Sequence, residues 1–87
     1  MRQVEWTRHI VDTFIEEAML SEIEVKVLET RVKGMPISQQ AQLLNISESS
    51  VNRIISRLKQ KYDSVQKYHP DLPPRRVSNE EIYMDNN

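Results

Sequence analysis

The amino-acid sequence predicts an all-α domain, and three observations carry that expectation. Glu, Gln, Lys, Leu, Ile and Val recur at helical spacing through most of the 87 residues, the period that gathers apolar side chains on one side of a helix. Gly34 is the single glycine, and neither Asn-Gly nor Asp-Gly occurs, so the tight turns of β-hairpins lack the residues they favour. Ser, Pro, Gly and Asn fall between the apolar runs, where helices start and stop.

Residues 4–19 read as the first helix, with Trp6, Ile10, Phe14 and Ala18 on one stripe and Val11 and Ile15 beside it. Glu5, Arg8, Asp12 and Glu16 point outward. Trp6 and Phe14 can form a ligand-binding aromatic pair, but large aromatics at this spacing are read as core. Ser21 and Glu24 make a capping box, in which serine oxygen and glutamate carboxylate each accept the other residue's amide. Leu20 can staple onto Val25, Ile23, Val27, Leu28 and Val32 continue the stripe, and Lys33-Gly34 closes the helix with a cation and a residue free to turn left-handed. Proline at a helix start sets φ and lacks only an amide that has no partner there, so a third helix runs from Pro36 or Ile37 to Leu44. Asn45 tolerates the left-handed turn that must follow, and Ser47 caps the next helix.

That last helix spans about residues 48–66. Val51, Ile54, Ile55, Leu58 and Tyr62 lie on one arc, while Ser49, Asn52, Arg53, Ser56, Arg57 and Gln60 lie on the opposite one, in pairs at i and i+4 that point the same way. Pro70, Pro73 and Pro74 forbid a regular helix, so residues 69–87 read as an extended proline-rich arm. The chain divides accordingly into an N-terminal helix on the core or at a dimer interface (1–19), a helical domain (20–68) and the arm (69–87).

Composition narrows the function. There is no cysteine, and the two histidines, His9 and His69, stand far apart; disulfide and cysteine-zinc stapling are excluded, and a histidine metal set is not expected. One glycine cannot build a phosphate-cradling loop. No apolar run is long enough for a membrane span and no signal-peptide pattern follows Met1, which gives a cytoplasmic expectation. No nucleophile, base and orienting group stand together, so neither an enzyme nor a cofactor is expected. The net charge of −1 conceals a gradient. Residues 1–33 carry five bases against seven acids, 34–67 five bases against Glu48 and Asp63, and 68–87 two bases against four acids, giving −2, +3 and −2. A basic middle between acidic ends suits a protein that meets a polyanion with one face.

Two short helices joined by a tight turn, the second with an exposed donor-rich face, describe a helix-turn-helix. Ala41 is small enough for close approach, and Leu44, Ile46, Val51 and Ile54 can fix the crossing. Residues 20–62 resemble the DNA-binding domain of LuxR-type (GerE-like) regulators and region four of primary sigma factors. The likeness rests on Leu20-Ser21-x-x-Glu24-x-x-Val27-Leu28, Lys33-Gly34-Met35, Ala41-x-x-Leu44-Asn45-Ile46-Ser47, Ser50-Val51-Asn52-Arg53 and Arg57-Leu58-Lys59-x-Lys61. Three departures stand out. Gln40 occupies a place these families usually give to a branched apolar residue, which should weaken packing, and Asn45 replaces a frequent turn glycine. The short fourth helix through which LuxR-type domains often dimerise gives way to the proline-rich arm.

The resemblance implies sequence-specific binding of double-stranded DNA by a small bacterial or phage transcription regulator, without implying promoter melting or control by phosphorylation. Ser49, Asn52, Arg53, Ser56 and Arg57 are then the base-reading candidates: arginine pairs with guanine and asparagine with adenine through two hydrogen bonds. Ser38, Gln39, Ser50, Lys59 and Lys61 are candidates for phosphate contacts, which fix register. A lone module covers only part of a site, so a homodimer through the N-terminal helix or the arm is expected, or docking beside RNA polymerase. The competing reading is a protein-interaction adaptor for a partner such as RNA polymerase or a toxin; a phage packaging or recombination accessory would look similar.

Overall fold

In the computed structural model, which describes residues 6–74, four helices and no strand occur among the described residues: α1 (Arg8–Ala18), α2 (Glu22–Val32), α3 (Ile37–Leu44) and α4 (Glu48–Gln66). The all-α expectation holds. α4 is the axis of the molecule, because each of the other three helices packs against it, and α2 also packs against α3. The core follows the apolar arcs: Val11 and Phe14 from α1, Val27 and Leu28 from α2, Ala41 from α3, and Val51, Ile54, Ile55, Leu58 and Tyr62 from α4.

Local chemistry sets the helix starts. Thr7 caps α1 through its side-chain oxygen, which accepts the Ile10 amide at 3.2 Å. This corrects the expected start near residue 4: helix begins only at Arg8, and Trp6 precedes the cap. The Ser21–Glu24 capping box forms as expected, and Ser47 caps α4 by accepting the Ser50 amide at 3.1 Å.

Three helix ends share one device. At each, a left-handed residue turns the chain, and the next amide reaches back five residues to a helix carbonyl, as in a Schellman closure. Met19 (φ 52°) precedes Leu20 N–H to Ile15 O, Gly34 (φ 88°) precedes Met35 N–H to Thr30 O, and Asn45 (φ 62°) precedes Ile46 N–H to Ala41 O. Glycine and asparagine suit this conformation. Met19 adopts it while 82% exposed.

The segment after α4 corrects a second expectation. Residues 69–74 do not extend away but turn back as a strap, burying Leu72 to 2% exposure. The Tyr62 hydroxyl donates to the Pro73 carbonyl oxygen. His9 Nε2 lies 3.3 Å from Asp71 Oδ2, and His69 Nε2 lies 3.8 Å from Glu17 Oε2, so two histidine–carboxylate contacts join the strap to α1. Beneath it Trp6 and Phe14 meet Tyr62 edge-on, with centroids 5.4 and 5.1 Å apart. The apolar stripe of α1 is covered by this chain's own α4. The rest of the expected arm, residues 75–87, lies outside the described residues.

Gln40, expected to weaken packing, is fully buried and hydrogen-bonded: its amide Nε2 donates to the Val27 carbonyl at 3.0 Å and to Thr30 Oγ1 at 2.8 Å. Thr30 Oγ1 in turn donates to the Lys26 carbonyl at 2.9 Å. The side chain bolts α3 to α2, although its own Oε1 is buried without a partner among the described residues.

Candidate functional site

α4 presents the candidate residues because its amphipathic sequence leaves it no alternative orientation. With Val51, Ile54, Ile55, Leu58 and Tyr62 buried, helical periodicity turns the opposite arc to solvent. Ser49, Asn52, Arg53, Ser56, Arg57 and Gln60 are all exposed, as is Lys59 on the flank. The structure therefore brings the five base-reading candidates onto one surface. Asn52 and Ser56 follow each other by a turn, as do Arg53 and Arg57. Ser38 and Gln39 are exposed at the start of α3, and Ser38 shares an open groove with Gln42, Asn45, Ser47 and Glu48, where α3 meets the start of α4.

The ten candidates are not equally available. Arg53 and Lys59 have no ion-pair partner among the described residues. Ser47 Oγ donates to Ser50 Oγ at 2.9 Å and lies 3.2 Å from Ser49 Oγ, so these serines form a small cluster at the cap. Arg57 Nη1 lies 3.7 Å from Glu24 Oε2, a contact longer than a hydrogen bond. Lys61 is engaged outright: its ammonium donates to Glu24 Oε1 at 2.9 Å and to Oε2 at 3.0 Å.

Glu24 is the residue that sequence reasoning did not place in the site. Its carboxylate completes the capping box and is almost wholly enclosed, at 3% side-chain exposure. Burial pushes its pKa upward, but the Ser21 amide and the Lys61 ammonium outweigh that and hold it below the ordinary 4.5. It is therefore an internal anion at neutral pH, facing two of the cations of α4. The capping box fixed its position on α2. Its partner on α4 lies 37 residues away, beyond the reach of local pattern.

Glu48, counted in the sequence against the bases of the middle segment, is exposed at the head of α4. It sets a negative charge at the groove that Ser38 lines, and it favours the helix through the positive end of the α4 dipole.

No helix among the described residues is long and apolar enough to cross a membrane. No group of three or more His, Cys, Asp or Glu able to hold a metal occurs among them either. Comparison with known protein families, curated proteins and solved structures finds no match.

Proposed function

We propose that this chain is a sequence-specific double-stranded DNA-binding protein, a small transcription regulator in which α3, the Asn45 turn and α4 act as a helix-turn-helix. The observation that carries this reading is the exposed row Asn52, Arg53, Ser56 and Gln60 on a helix held by its opposite, buried arc. A surface that is merely hydrated has no need for stacked amide, guanidinium and hydroxyl donors. A helix of about 10–12 Å diameter fits a major groove about 12 Å wide. In this reading Arg53 and Asn52 touch base edges, Ser49, Ser56 and Arg57 flank them, and Ser38, Gln39, Ser50 and Lys59 meet phosphates. Two copies bind two half-sites, since a single module contacts only roughly 600–1,000 Å².

Selection from a pool of random duplexes, followed by titration of the selected duplex at several salt concentrations, tests it. Affinity should fall steeply with salt, because phosphate contacts release counterions. Arg53→Ala should reduce discrimination at one base position by about 1–3 kcal/mol. No enrichment, with weak and salt-insensitive binding, would overturn the reading.

The adaptor reading draws on a different observation: Leu43 on α3 is 62% exposed, and Met19 and Tyr68 are more so. Binding that survives high salt and is lost in Leu43→Ser, with no duplex selected, is the result that would favour it.

A further inference from the structure

The basic side chains of α4 form a row one helical turn apart, Arg53, Arg57 and Lys61, and Glu24 grades them. Arg53 has no partner among the described residues. Arg57 stands 3.7 Å from the carboxylate, and Lys61 is bonded to both of its oxygens. We propose that Glu24 is a positioning residue that decides which cations of α4 reach a duplex: it withholds Lys61, keeps Arg57 in reserve, and leaves Arg53 and Lys59 as the charges DNA meets first. This rests on the DNA-binding reading and deepens it.

The argument is one of capacity and enclosure. A carboxylate accepts about four hydrogen bonds. Glu24 Oε1 accepts the Ser21 amide at 2.9 Å as well as the lysine, whereas Oε2 accepts only Lys61, so its remaining capacity lies toward Arg57. A buried anion left without its cation is heavily penalised; Lys61 cannot move to a phosphate without stranding Glu24. Arg57 can, because it is held by distance-weakened attraction at 48% side-chain exposure. The fold therefore limits how many charges of this row act as unspecific phosphate contacts. Such contacts would raise affinity for every duplex alike and dilute base reading.

Glu24→Gln tests this while preserving the helix start, since glutamine also serves in a capping box. Duplex binding is titrated against salt for a random-sequence duplex and for one selected by the wild type. Release of Lys61 should steepen the plot of log K against log salt by about 0.9, the value for one added phosphate contact. Preference for the selected duplex should drop at least several-fold. Adding Lys61→Met to Glu24→Gln should return about 0.9 of that slope; general destabilisation would not be reversed by a second substitution. In the otherwise native chain Lys59→Met should lose about 0.9 of slope and Lys61→Met almost none. Lys61→Met acting like Lys59→Met, or an unchanged slope in Glu24→Gln, overturns the proposal. If the wild type shows no salt-dependent binding to any duplex, the DNA-binding reading itself fails, and this inference with it.

Discussion

Where α1 and the strap meet α4, the buried contact is chiefly rings and methyl groups: Trp6 and Phe14 edge-on to Tyr62, with Leu72 in the same core and the Tyr62 hydroxyl donating to the Pro73 carbonyl. Where α2 meets α3 and α4, the apolar contact is interrupted by a buried glutamine bolt and a buried carboxylate that holds a lysine. The first seam owes most of its adhesion to apolar burial, which is roughly proportional to area and carries little direction. The second is directional, because each hydrogen bond fixes an angle as well as a distance. The comparison teaches a difference in kind: the first seam is held mainly by buried area, and the second adds to its own apolar core the bonds that fix how α3 and α4 sit, which is where the candidate interface lies.

Substitution in each seam sharpens that difference, beginning with the rings. Phe14→Ala should cost about 3–5 kcal/mol in urea denaturation, the range for large-to-small changes in a core. A cost under about 1 kcal/mol would mean that α1 is dispensable to the core and the comparison is broken.

Glu24→Gln should cost less, about 1–2 kcal/mol at pH 7, because Lys61 is half-exposed and can turn to solvent. It should also change the acid limb of stability. Glu24 is held below its ordinary 4.5 in the folded chain, so at low pH the unfolded chain takes up its proton first. The stability it contributes is complete above the unfolded value and is lost as pH falls through the folded one. Melting followed from pH 6 to pH 3 should therefore decline more gently in Glu24→Gln than in the wild type. Some decline remains, since Asp12 is also held low, by hydrogen bonding to Arg8 on the surface. Parallel acid limbs would show that Glu24 does not titrate as described.

How much of this was legible in the sequence follows from the range of each interaction. The capping box, the Gly34 and Asn45 turns and the bounds of α4 are local, written within five residues of one another, and the chain displays them directly. The exposed arc of α4 was legible for the same reason. Thr7 was hidden because the apolar period runs on through Trp6, and Leu72 because a lone leucine among prolines has no period at all. Lys61 was assigned to phosphate because nothing near it in sequence reveals Glu24. Gln40 was read as a defect because its two acceptors belong to another helix.

Gln40 gives the next test. Gln40→Leu removes an unpaired oxygen along with two hydrogen bonds, and the acceptors it leaves keep another bond, since the Thr30 hydroxyl still donates to the Lys26 and Val27 carbonyls, which limits the penalty. The change should stay within about 1 kcal/mol, while Gln40→Ala, which leaves a cavity, should cost about 2 kcal/mol. If leucine also loosens the seam's geometry, amide exchange in α3 should quicken without loss of global stability; unchanged exchange would mean that the bolt carries no orientation.

The smallest effect should come from Met19. Replacing an exposed side chain at φ 52° by glycine removes a left-handed penalty and should raise stability by up to about 1 kcal/mol, read as a higher melting temperature. A fall would place Met19 in a contact that its exposure conceals.

The ring seam has a consequence for synthesis. Phe14 emerges from the ribosome before the side chain it packs against: Tyr62 follows 48 residues later, and Leu72 later still. α1 thus waits for its cover until nearly the whole helical unit is out, with its apolar stripe open to wrong partners. Slow translation ahead of Tyr62 would prolong that wait, and a chaperone that shields apolar segments should find its binding site there.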